Sequence, residues 1–282
     1  PGALMEYLEH FEAGNGVSTW DGRGIVSPHI DFDRGGDVYA KVWGAAEAAV
    51  LDADLVIIFG TDHYGGLGTI TLTEQAYATP YGILPRDNAL VARLAESWGA
   101  GPAFADELNH IHEHSVELSA VWLHHLFAKA GKDPCPVVPI LVGSFQHYLS
   151  NGNRPQADER LTDFLETLRR ETAGRRVVVV ASVDLAHVGP SFGDGFVMDQ
   201  PRREALSVQD QGLIEAAIRG DAEGWYSQIA AVNDRNRICG FSPTYLLLRY
   251  LDQTSGSQIA YAQCPADEQD TSLVSICGLL ID

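Results

Sequence analysis

The chain has 282 residues, 45% hydrophobic and 20% charged, the balance of a folded globular protein long enough for one large α/β domain or two ordinary ones. Nineteen Lys and Arg stand against 38 Asp and Glu, giving a formal net charge of −19. That charge argues against a phosphate-tracking surface and against an anionic membrane face, so neither nucleic acid nor membrane is an expected partner.

Apolar runs and turn residues lay out the elements in chain order. Strands are expected at 24–28, 54–60, 69–73, 136–142, 176–183, 258–263 and 273–281. Helical patterns fall at 36–51, 85–98, 115–130, 156–173, 202–219, 222–233 and 243–253. Several strands are continuous Val/Ile/Leu runs, the pattern of strands buried on both faces. Strands alternating with helices predict an α/β fold, three-layer α/β/α with a mostly parallel central sheet. There is no repeat, low-complexity stretch or linker, so residues 1–282 are read as a single domain. No apolar run approaches the ~18 residues of a membrane span, and the first residues lack the layout of a secretion signal. The four cysteines (Cys135, Cys239, Cys264 and Cys277) include no CxxC pair. A cytoplasmic protein with reduced thiols is expected.

Five residues with metal-binding chemistry sit beside these elements. GIVSPH ends on His29, LVIIFGTDH on His63, and VVVVASVDLAH carries Asp184 and His187. Parallel strands end on one edge, so residues remote in sequence meet there. Asp184 and His187, spaced i, i+3 after a strand, are expected on the same side of a turn, the carboxylate orienting the imidazole. The alternative is that Asp184 merely caps that turn. Cys239 precedes GFSPTYLLL, read as Ser242 at an N-cap and Pro243 at the first helical position; a sulfur near that helix end is favoured as thiolate. In LNHIHEHSVEL, Ser115 is read as the helix cap, leaving His114 at the end of a loop and Glu117 in the first turn. His124 and His125 then lie mid-helix, at least one on the surface. The loop 188–200, rich in Gly and Asp, begins one residue past His187 and either shapes a pocket or is a plain connection. Each histidine alone is ordinarily a polar group with a hydrogen-bond partner; together with Cys239 they compose a transition-metal donor set. GxGxxG, GxxxxGK[ST] and GxSxG are absent, so dinucleotide, P-loop and serine-hydrolase chemistry are not signalled.

Six segments in order resemble the Memo family, which includes component B of the system joining AMMECR1-like, Memo-like and radical-SAM proteins. PHIDFDRGG stands where that family has a PHAGY-type segment, and FGTDHYG where it has GPSHH. EHSVEL resembles EHSIE, VPILVG resembles IPVLVG, SVDLAHVG resembles SSDFCHWG, and ICGFSP resembles ICGRHP. The resemblance implies a fold like the catalytic subunit of class III extradiol dioxygenases. It implies a metal held by His29, His63 and Cys239, Fe(II) first with Zn or Cu as alternatives. His187, Asp184 and His114 would be the catalytic side chains, with Glu117 nearby. A small-molecule or peptide substrate, O2-dependent chemistry, and AMMECR1-like and radical-SAM partners follow as expectations. Two other readings stand beside this one, a non-catalytic metal- or peptide-binding protein and a hydrolase using Cys239, His187 and Asp184. Tyr64 and Ser119 occupy positions where the family has histidines, so the pocket lining differs.

Overall fold

In a computed structural model the described residues are 2–12, 20–252 and 254–282. The strands are β1 (Gly24–Ser27), β2 (Leu55–Thr61), β3 (Ile70–Thr71), β4 (Ala78–Thr79), β5 (Gly82–Ile83), β6 (Val137–Val142), β7 (Val177–Ser182), β8 (His187–Val188), β9 (Gly256–Pro265) and β10 (Leu273–Ile281). β4 and β5 form a small hairpin of their own. The others build one sheet in the order β3-β6-β2-β7-β1-β10-β8, with β9 on β10. β6, β2, β7 and β1 run parallel at its centre, and antiparallel β3 and β10 flank them.

The layers follow from side-chain alternation along the central strands. Leu55, Ile57 and Phe59 of β2 face one core, while Val56 and Ile58 face the other; all five are fully buried. The helices Phe32–Leu51 and His114–Lys129 cover the second face, and Phe241–Leu251 and Glu159–Thr172 pack on the first. The result is an α/β protein with helices on both sides of a mixed sheet. Among the described residues, no helix is long and apolar enough to cross a membrane.

Register sets the site. Ser27 lies opposite Ser182, Ser182 opposite Gly60, and Thr61 opposite Val142. The four parallel strands therefore end in one row, and His29, Asp184 and His63 emerge a residue or two beyond it.

Three of the helix starts that differ from the sequence reading are decided by their caps. The helix expected from 36 begins at Phe32, because Asp31 accepts the Arg34 N–H as its N-cap. The next begins at His114 and not after Ser115: the Glu113 carboxylate caps it through Ser115 N–H, while Ser115 Oγ donates to Thr61 O. The third begins at Phe241, with Gly240 at the cap position and no side-chain cap bond, so Ser242 is an interior helical residue and not the cap. His124 and His125 are both buried, bonded to Thr79 Oγ1 and Tyr81 OH, so neither is plain surface. The helices Gly2–Glu12, Ala100–Phe104, Asn109–His112 and Gln146–Asn151 had no counterpart in the sequence reading.

Candidate metal centre

Beyond β1, Pro28 turns the chain and His29 enters the crevice fully buried. Its Nδ1 lies 3.0 Å from Ser182 O at the end of β7. A carbonyl only accepts, so Nδ1 carries the proton and Nε2 presents a lone pair. Burial pulls the imidazole pKa down to about 4, outweighing the nearby Asp184 charge, so the ring is neutral at pH 7. Ser182 is itself held from below: its hydroxyl is hydrogen-bonded to Ser119 Oγ at 2.6 Å and donates to Ser115 O.

His63 follows β2 and is fixed by Glu113, a carboxylate whose side chain is completely enclosed. Glu113 Oε2 accepts the His63 backbone N–H at 2.9 Å, and Oε1 lies 3.0 Å from His63 Nδ1. Nδ1 thus donates to Glu113, and Nε2 is again the free nitrogen. Burial opposes the charge on His63, but the Glu113 bond prevails and raises its pKa. Burial likewise pushes Glu113 upward, yet its bonds to His63 and Ser115 bring it down to about 2.

Cys239 comes from the far side, between the 233–238 turn and the helix Phe241–Leu251. Its Sγ lies 3.3 Å from His29 Nε2 and 3.3 Å from the Asp184 backbone N–H. A Cβ on Gly240 would meet Asp184 O and the Val183 Cβ, both at 2.8 Å, so only glycine lets this turn approach the end of β7. His29, His63 and Cys239 each offer a ligand atom, all within 4.8 Å of one another. Two imidazoles with Nδ1 held elsewhere and one sulfur at that separation fit a small transition-metal ion. The expected helix-end activation of the sulfur is not what governs it: burial and the Asp184 charge push the thiol well above its ordinary pKa.

Asp184 and His187 part company. Asp184 Oδ1 accepts the backbone N–H groups of His29 and Ile30, and Oδ2 stands 3.7 Å from His29 Nε2. The carboxylate therefore orients the His29 segment rather than His187. His187 instead has Nδ1 3.2 Å from both Leu185 O and Arg237 O, and its ring meets Phe192 edge-on. Burial lowers its pKa. The imidazole beside Cys239 is accordingly His29, which departs from the Cys239–His187–Asp184 arrangement that the hydrolase reading requires. His114 is half exposed, with its Nδ1 3.3 Å from Glu113 Oε1. Its ring centroid lies 5.1 Å from that of His29 and 5.2 Å from that of His63, which are themselves 5.2 Å apart. Glu117 is exposed and lines a cavity with Tyr77, Glu107 and His110 whose walls include none of the three donors.

Glu113 is the functional residue that sequence reasoning missed. It stands directly before a helix start, a position where an acidic side chain finds free N–H groups, and this was the available signal.

These elements define an α/β protein with a candidate mononuclear metal site at the carboxyl edge of its parallel strands. The family model described as Memo-like protein matches residues 2–280, and the chain belongs to the Memo family. Among similar proteins, a MEMO1 family protein of Methanosarcina acetivorans is 25% identical over 235 residues, 83% of this chain and 75% of the relative. One from Aquifex aeolicus is 25% identical over 286 residues, covering 99% of this chain and 69% of its own length. A third, from Pyrococcus furiosus, is 28% identical over 250 residues, covering 84% and 78%.

Proposed function

We propose that this Memo-family protein is a mononuclear non-haem iron oxidoreductase acting with O2 on a small molecule or a modified peptide. The observation that carries the reading is the convergence of His29, His63 and Cys239 within 4.8 Å, with Nδ1 of both imidazoles engaged elsewhere. Both rings are thereby oriented before any metal arrives. Iron held there would supply a redox-active Lewis acid with positions left for substrate and dioxygen.

The chain's own groups do the remaining work. Glu113 and Ser182 O hold the two ligand imidazoles. His187, pinned at Nδ1 by two carbonyls, keeps Nε2 for proton exchange with a bound substrate. His114, at the exposed corner of the imidazole triangle, is the residue placed to meet substrate from the solvent side. Zn and Cu also suit two imidazoles and a thiolate.

Metal analysis of protein purified without oxygen, beside Cys239→Ala and His29→Ala, tests the reading. Stoichiometric iron in the wild type and its loss in both variants is expected. Zinc alone, or no metal after iron loading in any of the three, would overturn the oxygen chemistry.

A further inference from the structure

The loop 188–200 does not end at the metal centre. Its Asp194 is clamped by Arg237 at 2.6 Å and accepts the Gly189 N–H, and Met198 N–H donates to Thr271 O. So anchored, it walls a cavity of about 390 Å³ against the helix Gln200–Ile218, with Phe196, Met198 and Leu206 as apolar lining and Arg202 and Arg235 as cations. A second cavity of about 240 Å³ is lined by Leu213, Ile229, Val232 and Ile238. The two share Gln209 and Asn236, whose side chains are hydrogen-bonded at 2.8 Å.

Together they are apolar at one end and cationic at the other. The Arg202 guanidinium is paired with Asp199 and lies over the Phe196 ring. Asp194 is neutralised by Arg237. That leaves Arg235, exposed at the mouth, with no side-chain partner among the described residues, an uncompensated cation on a chain of net charge −19. The inner cavity is walled mostly by aliphatic side chains, with Gln228 donating to Gly212 O, Asp234 accepting the Ile238 N–H and Asn236 Nδ2 donating to Gln209 Oε1, so it suits a largely apolar chain. The turn beneath carries three non-glycine residues in the left-handed region, Asn233 (φ 50), Asp234 (φ 47) and Arg237 (φ 53), a backbone state that concentrates at ligand clamps.

We propose that these cavities form one binding site for an aliphatic monocarboxylate, its chain across the Gln209–Asn236 pair into the inner cavity and its carboxylate on Arg235. The site is independent of the metal reading. It borders the centre, however, because Asn236 O holds the His187 N–H at 2.8 Å and Arg237 O reaches the His187 ring.

The test is titration of the full chain with monomeric decanoate, followed by calorimetry and by methyl NMR of Ile229 and Ile238. Saturable binding that shifts both methyls is expected, weakened by about tenfold or more in Arg235→Glu, with decyltrimethylammonium unable to bind. Leu213→Trp, which fills the inner cavity, is expected to abolish binding, its fold checked by circular dichroism. Absence of saturable binding to wild type, equal binding of the ammonium, full affinity in Arg235→Glu, or shifts confined to the His29 and His63 rings would each overturn the proposal. The last outcome would place the carboxylate at the metal centre instead.

Discussion

Glu113→Gln is the substitution that most directly probes how the centre is held together. The glutamine is nearly isosteric, so packing is unchanged and the effect is one of hydrogen bonding and charge. Oε1 faces Ser115 N–H at 3.1 Å together with the Nδ1 atoms of His63 and His114, while Oε2 faces His63 N–H at 2.9 Å. The backbone N–H groups of Ser115 and His63 and the His63 Nδ1–H all donate to the carboxylate. Whichever way the amide is turned, its NH2 confronts a buried N–H, and one unpaired buried donor costs about 1–3 kcal/mol. Loss of charge adds to this, since a carboxyl brought from 4.5 to about 2 carries roughly 3 kcal/mol of linked stability. The two effects overlap, so the expected destabilisation is about 2–4 kcal/mol by urea unfolding near pH 6. The sign is fixed by linkage. A depressed carboxyl stabilises fully above its ordinary value and loses that contribution as pH falls through about 2, whereas His63, raised, contributes below 6.5 and loses it above. The gap between wild type and variant should therefore narrow toward acid. With the charged acceptor of His63 Nδ1 replaced by a neutral amide, Co(II) affinity measured by chelator competition should fall about 10–100-fold. A variant within about 0.5 kcal/mol of wild type and with unchanged Co(II) affinity would refute the account.

Gly240→Ala should lower stability by about 1–3 kcal/mol and weaken Co(II) binding, because the new Cβ meets Asp184 O and Val183 at 2.8 Å and displaces Cys239; urea unfolding and the sulfur-to-cobalt absorption band report the two effects. Asp210 is fully buried with Tyr261 OH on one oxygen and no partner on the other, and burial raises it to about 6. Its favourable contribution is complete below 3.8 and lost as pH rises through about 6, so Asp210→Asn should be more stable than wild type by roughly 2–3 kcal/mol at pH 7.5 and show no gain near pH 3.5 in thermal or urea melts. His114→Ala, at a half-exposed position, should change stability by less than about 0.5 kcal/mol and leave metal content intact, which metal analysis and unfolding together check.

Most of the architecture was legible in the chain because each central strand is a continuous apolar run, and only a sheet covered on both faces buries such runs. The strands expected at 54–60, 136–142 and 176–183 appear at Leu55–Thr61, Val137–Val142 and Val177–Ser182. Their common edge brought His29 and His63 together as the strand-end positions implied, and Cys239 joins them from the turn before the helix Phe241–Leu251. Caps were less legible. Ser115 and Ser242 are residue types that favour N-caps, but Ser115 Oγ is taken by Thr61 O, and Gly240 occupies the cap position because only glycine fits against β7. Tertiary contacts overrode local propensity in both cases.

The Asp184–His187 pairing failed for a physical reason that bears on the site's design. An i, i+3 pair converges only if the chain coils, and residues 183–186 do not. Leu185 N–H donates to Ser275 O, Ser275 N–H donates to Ala186 O, and Gly240 N–H donates to Asp184 O, so the segment is stretched between β10 and the Cys239 turn. On an extended chain an odd separation sends side chains to opposite sides, which turns Asp184 toward β1 and leaves His187 against Phe192. The same stretch that separates them aligns the Asp184 N–H with Cys239 Sγ at 3.3 Å. Asp184 thus grips two of the three donor-bearing segments, His29 through its carboxylate and Cys239 through its backbone, while Glu113 grips the third. The geometry of the candidate site is accordingly set by two buried acids, neither of which is among its three candidate donors.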